Sequence, residues 1–121
     1  MGNDIDKMTR KSQEAMQAAA GLAESKQNPT VEPEHLLFEL VKQSEGVVPR
    51  LIDKAGGSTK LLSDELMGKL AKLPTVSGTG TRPAGSQRIQ KVFHGAEKQA
   101  QLMGDSFIST EHFFLSMMLG D

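Results

Sequence analysis

The sequence predicts an all-α domain assembled from two copies of one helical unit, arranged as a pseudo-twofold repeat. Two observations carry this. Apolar residues recur at three- and four-residue steps along nearly the whole chain, and no segment alternates with period two for long enough to argue a strand. In addition, the chain superposes on itself when shifted by 77 residues, so that 9–41 lies over 86–118 without a gap.

Taken in order, the first helix is expected to begin after Thr9, a fair N-cap, and to bury Ala15, Met16, Ala19, Leu22 and Ala23 on one stripe. It lacks β-branched residues from Lys11 to Gln27, which raises helix propensity, and Asn28-Pro29 should stop it. A second helix is expected from Pro33 to about Gln43. Proline suits the first turn, Glu34 faces the positive end of the helix dipole, and Leu36, Leu37, Leu40 and Val41 form the buried stripe. Gly46 breaks it. Pro49 opens a short third helix through Leu51, Ile52 and Ala55, closed at Gly56-Gly57. Ser58 caps a fourth, whose Leu61, Leu62, Leu66, Leu70 and Leu73 should face inward before Pro74.

Thr75 to Gly85, rich in Gly, Thr and Pro, reads as a mobile surface loop. Ser86 caps a fifth helix through Ile89, Val92, Phe93, Ala96 and Ala100, ending at Gly104. Ser109 caps a sixth through Phe113, Phe114, Met117 and Met118. Residues 1–8 are expected to form a flexible tail ahead of a single domain over 9–121. Within it, repeat one covers about 9–57, a connecting helix and loop 58–85, and repeat two 86–121.

The repeat rests on more than helix periodicity. Five aligned pairs are identical: Gln13/Gln90, Ala19/Ala96, Ala23/Ala100, Glu34/Glu111 and His35/His112. Chance at ordinary residue frequencies gives about two. The apolar positions coincide as well, among them Leu36/Phe113, Leu37/Phe114, Leu40/Met117 and Val41/Met118. The second copy stops at Asp121, where the first continues into another helix. It is therefore expected to be truncated, with apolar surface uncovered at its end.

Composition narrows the function. The 121 residues carry 14 basic and 15 acidic side chains, a net charge of -1, which argues against a nucleic-acid or anionic-membrane surface. Without cysteine there is no disulfide, thiol nucleophile or Cys-ligated zinc, as suits a reducing cytoplasm. No apolar run approaches the roughly 18 residues that span a bilayer, and MGNDIDKM is not a secretion signal. A soluble, cytoplasmic protein is expected.

The segments VEPEHLLFELV at 31–41, FISTEHFFLSMM at 107–118 and Gly104-Asp105 before the second resemble the N-terminal domain of the Clp chaperone family, made of two tandem Clp repeats. LAKLPTVSGTG at 70–80 resembles the protein-disaggregase branch of that family rather than its adaptor-using branch. The resemblance covers residues 7–121 and implies binding rather than catalysis. Such a domain engages unfolded or aggregated polypeptide above a hexameric AAA+ ring, is monomeric by itself, and in other branches docks adaptor or co-chaperone proteins. ATP and magnesium would belong to ATPase modules further along. This chain has no G-x-x-x-x-G-K-[ST], and Gly78-Thr79-Gly80 lacks both a preceding strand and a following lysine.

The resemblance also implies peptide-binding residues: Thr9, Asp105 and Glu111 as a polar rim, with Phe93 and Phe113, and also Phe114, beside an apolar trough. A capping network explains Thr9, Asp105 and Glu111 equally well, since each lies at a helix end, and the two readings are compatible. Gly95 and His112 stand where relatives often have leucine, which would make the trough shallower and more polar. His35 and His112 each follow a glutamate, but a metal would want a third ligand or a His-Glu-x-x-His spacing, and neither is visible. Repeat symmetry is expected to leave both half-buried, His94 is expected on the surface, and the helical methionines in the core.

Overall fold

The computed structural model describes residues 6–77 and 82–120. Among these are six named helices: α1 (Arg10–Ser25), α2 (Pro33–Lys42), α3 (Val47–Lys54), α4 (Thr59–Ala71), α5 (Gln87–Leu102) and α6 (Thr110–Leu119). The 77-residue shift carries the bounds of α1 onto those of α5 and the bounds of α2 onto those of α6.

The caps repeat with the bounds. Thr9 accepts from the Ser12 amide, and Ser86 accepts from the Ile89 amide. Both long helices then end in the same hydrogen-bonded turn. The Asn28 amide donates to the Ala23 carbonyl at 2.9 Å, and the Asp105 amide donates to the Ala100 carbonyl at 2.9 Å. The preceding residue must take a left-handed conformation in each, and it does, with φ 73° at Gly104 and φ 61° at Gln27.

The expectation of no strand is corrected. β1 (Thr30–Val31) and β2 (Ala84–Gly85) pair in parallel, and a single parallel bridge joins Met8 to Ile108. The bridge is the symmetry image of the β1–β2 pair. The Ser86 amide reaches the Val31 carbonyl at 3.2 Å, and the Thr9 amide reaches the Ile108 carbonyl at 3.0 Å. Each copy thus lends the stretch before its first helix to the middle of the other copy. Two residues are too few to show alternation, so the pattern gave no signal.

Other expectations are corrected at their edges. The tail over 1–8 does not extend to Met8, which is buried in the core, while the Lys7 carbonyl accepts from the Ile108 amide. Residues 1–5 lie outside the described residues. The loop at 75–85 contains β2 and is tied by the Val76 amide to the Gln27 carbonyl, and 78–81 lie outside the described residues. The third helix starts at Val47 rather than Pro49, with proline in its first turn. On α4, Leu66 and Leu70 are buried but Leu61 faces solvent. Met67, Met103 and Met118 are likewise exposed.

The core sits between the two α1–α2-type hairpins. Ala15, Ala19, Ala23, Ala96 and Ala100 bring the long helices close to their partners, and Leu36, Leu40, Val48 and Phe113 fill the centre. Burying such a large side chain contributes roughly 1.5–3 kcal/mol.

Candidate functional site

The two histidines organise the start of α2 and of α6. The Glu32 amide donates to His35 Nδ1 at 2.8 Å, and the Ser109 amide donates to His112 Nδ1 at 2.8 Å. Histidine thereby takes the place that Glu or Gln holds in the usual capping box. Because Nδ1 accepts, the hydrogen-bond pattern assigns the ring hydrogen to Nε2. His35 Nε2–H donates to Asn28 Oδ1 and His112 Nε2–H to Asp105 Oδ2, both at 2.8 Å. The rings are 0% and 1% exposed, which corrects the half-buried expectation and removes His112 from any trough. Burial pushes the His35 pKa below its ordinary value, although Glu32 and Glu34 pull upward. Among the described residues no group of three His, Cys, Asp or Glu side chains could hold a metal.

Of the five residues expected to bind peptide, three gather at the α6 end and two do not meet them. Thr9 is half-buried, its hydroxyl shared with Ser12 and its amide on Ile108. Asp105 is bonded to His112 yet has a side chain 47% exposed. Glu111 lies half-buried in the first turn of α6. Phe113, by contrast, is 1% exposed and belongs to the core, with Phe93 packed on it at 6.0 Å between ring centroids. Phe114 packs against the same core.

The repeat explains what is distinctive about Glu111. Its counterpart Glu34 is clamped by Arg88, whose Nη1 and Nη2 donate to the carboxylate at 3.2 and 3.0 Å, with Nη1 also donating to Glu32 at 3.2 Å. Burial works to raise the Glu34 pKa, but Arg88 outweighs it and holds the carboxyl below its ordinary value. In the second copy the equivalents are Ser109 for Glu32 and Lys11 for Arg88. Among the described residues no ion pair reaches Glu111.

Sequence reasoning missed three side chains beside Asp105. Leu102, Met103 and Phe107 are 71%, 46% and 54% exposed. Their counterparts in the first copy are Ser25, Lys26 and Thr30. The signal was available in the repeat, as places where one copy is polar and the other large and apolar. Next to them a small pocket of 220 Å³ includes Lys7, Glu97, Asp105 and Ile108.

A larger open groove of 890 Å³ lies elsewhere, between α2, α4, α5 and the end of α6. Leu37, Leu62, Val92 and Met117 line it, and no phenylalanine does. Gly95 is on its wall because the helices almost touch there. A Cβ at Gly95 would overlap Ser116 Oγ, which donates to the Val92 carbonyl at 2.8 Å.

Residues 7–121 match the Clp repeat (R) N-terminal domain. The chain belongs to the Clp repeat N-terminal domain family. Within it the ClpB chaperone of Bdellovibrio bacteriovorus is 57% identical over 113 residues, 93% of this chain but 13% of that protein. The ClpB of Nitratidesulfovibrio vulgaris is 36% identical over 118 residues, 95% of this chain and 14% of that one. This Clp N-domain therefore spans about an eighth of the length of its curated relatives. The N-terminal domain of Hsp104 from Candida albicans has the same fold, with TM-score 0.85 at 19% identity over 93% of this chain and 73% of that one. So does a ClpV N-domain in complex with a VipB peptide, with TM-score 0.84 at 20% identity over 98% of this chain and 72% of that one. No helix of the described Clp N-domain residues is long and apolar enough to cross a membrane.

Proposed function

We propose that this Clp N-domain engages non-native polypeptide, holding apolar segments of unfolded or aggregated proteins for an ATP-driven ring carried elsewhere in a ClpB-type disaggregase. The observation that carries the reading is the exposed trio Leu102, Met103 and Phe107 around Asp105, at positions where the first copy is polar. Clustered apolar exposure of this kind marks interaction surfaces on folded domains. Glu111 supports it, since a carboxylate that no ion pair reaches among the described residues is available to basic side chains of a client. The polar rim and small contact area fit weak, sequence-tolerant capture. The ClpV relative bound to a VipB peptide is consistent with peptide capture by this fold.

The test is an amide-resolved NMR titration with a permanently unfolded, apolar-rich polypeptide, because the chain has no Trp or Tyr to report binding by fluorescence. Shifts are expected at Thr9 and across 102–111, and Phe107→Ser is expected to weaken them. An absence of shifts at millimolar polypeptide overturns the reading. Tight one-to-one binding of a folded adaptor at the same residues would replace it with the adaptor-docking role.

A further inference from the structure

Each long helix ends in a turn that sets a polar residue seven positions before a buried histidine, Asn28 before His35 and Asp105 before His112. Both histidines accept a backbone amide at Nδ1, so both rings are neutral and present Nε2–H in a fixed direction. What they hold differs. Asn28 is an uncharged amide 4% exposed, whereas Asp105 is a carboxylate whose side chain is 47% exposed. His112 therefore orients this carboxylate without neutralising it. Among the described residues no lysine or arginine neutralises it either. In the small pocket beside it, Lys7 is paired with Glu97 at 3.3 Å, and His94 Nδ1 lies 4.0 Å from the other Glu97 oxygen. Asp105 Oδ2 takes the bond from His112, and Oδ1 takes no hydrogen bond among the described residues. Glu34 makes the contrast, because the group that holds it, Arg88, also supplies the countercharge. A carboxylate that is fixed but uncompensated is a prepared acceptor for a cationic donor, since its side chain is ordered before the donor arrives.

We propose that His112 is a positioning residue: it holds Asp105 in one rotamer, so that Oδ1 receives a guanidinium or ammonium group carried within the apolar segment that 102–107 engages. The proposal rests on the client-binding reading above. It adds to that reading which side chain selects and which one aims it.

The experiment compares two short apolar peptides that differ at a single central residue, arginine in one and its uncharged isostere citrulline in the other. Binding is read by amide-resolved NMR titration, and the Asp105 rotamer by three-bond couplings to its carboxyl carbon. Two variants divide the roles. Asp105→Asn keeps an acceptor for His112, as Asn28 does for His35, and removes the charge. His112→Gln keeps an acceptor for the Ser109 amide, as glutamine does in the usual capping box, but gives up the bond to Asp105. The wild-type domain is expected to bind the arginine peptide about three- to fivefold more tightly at low salt, with Asp105 in a single rotamer. Asp105→Asn is expected to bind both peptides equally. His112→Gln is expected to keep its affinity for the citrulline peptide, lose most of the preference and show averaged couplings. A purely structural His112 would weaken both peptides alike or neither, and either result overturns the proposal. A preference that survives Asp105→Asn overturns it too, by moving the selection to another carboxylate such as Glu111. Averaged Asp105 couplings in the wild type overturn it whatever the variants do. Equal binding of the two peptides by the wild type overturns this proposal and leaves the client-binding reading standing, whereas no binding of either overturns both.

Discussion

The two copies share a backbone and differ in what they leave open. In the first, His35 is bonded to Asn28, which is itself buried and donates to the Pro74 carbonyl at 2.9 Å. In the second, His112 is bonded to Asp105, half of whose side chain is in solvent. Glu34 of the first copy is clamped by Arg88 from the second, and α3 and α4 both pack on α2. In the second no ion pair reaches Glu111 among the described residues, and Met118 and Leu119 near the end of α6 are exposed. One duplicated unit is thus closed over in one copy and, among the described residues, more open in the other. The interior positions agree because packing constrains them, while the rim positions are free to diverge.

Removing the histidines tests that contrast most strongly. His35→Ala orphans the Glu32 amide and the buried Asn28 carbonyl and leaves a cavity, a loss of about 3 kcal/mol. His112→Ala is expected to cost less, because water can reach Asp105. Denaturant unfolding followed by far-UV circular dichroism measures both, and equal losses would break the comparison. The same site sets a pH dependence. The His35 pKa is depressed in the folded state, so its contribution is complete above the ordinary value of 6.5 and is lost as pH falls through the folded value. Protonation also removes the acceptor on which the capping box depends. His35→Gln is expected to flatten the midpoint's fall below that pH.

Gly95 offers the next contrast. Its counterpart Ala18 is exposed on α1, whereas Gly95 meets Ser116. Gly95→Ala should therefore destabilise by about 1–3 kcal/mol despite better helix propensity, with Ser116→Ala restoring much of the loss. Ala18→Gly should cost about 0.5–1 kcal/mol through propensity alone. A stabilising Gly95→Ala would show that the two helices can move apart. The smallest effect is expected at Gln27, which holds the left-handed turn that Gly104 makes without strain. Gln27→Gly should raise stability by up to about 1 kcal/mol, and a loss instead would show that its side chain matters more than its φ.

Local chemistry was the legible part. Thr9, Ser58 and Ser86 declare helix starts because a cap acts within one turn, and the repeat fixed both copies together. The β1–β2 pair and the Met8–Ile108 bridge were not legible, because backbone pairing between distant residues leaves no periodic trace. Leu61 was assigned inward on spacing alone, yet it is 69% exposed, because spacing marks a stripe on a helix without saying how wide a neighbour covers it. Phe113 was a plausible trough residue until the packing of Phe93 upon it could be seen. The apolar trio at 102–107 reads as ordinary helix end and turn unless the copies are compared position by position.

The exchange of strand-like segments sets an order of events on the ribosome. Val31 finds its backbone partner only when Ser86 has been made, and the stretch before α1 waits for Ile108. The leading half therefore leaves the exit tunnel with its pairing edge bare and cannot close by itself. Such long-range closure slows folding and keeps apolar surface open in the meantime. During its own synthesis this Clp N-domain is therefore an unfinished chain for longer than its size would suggest.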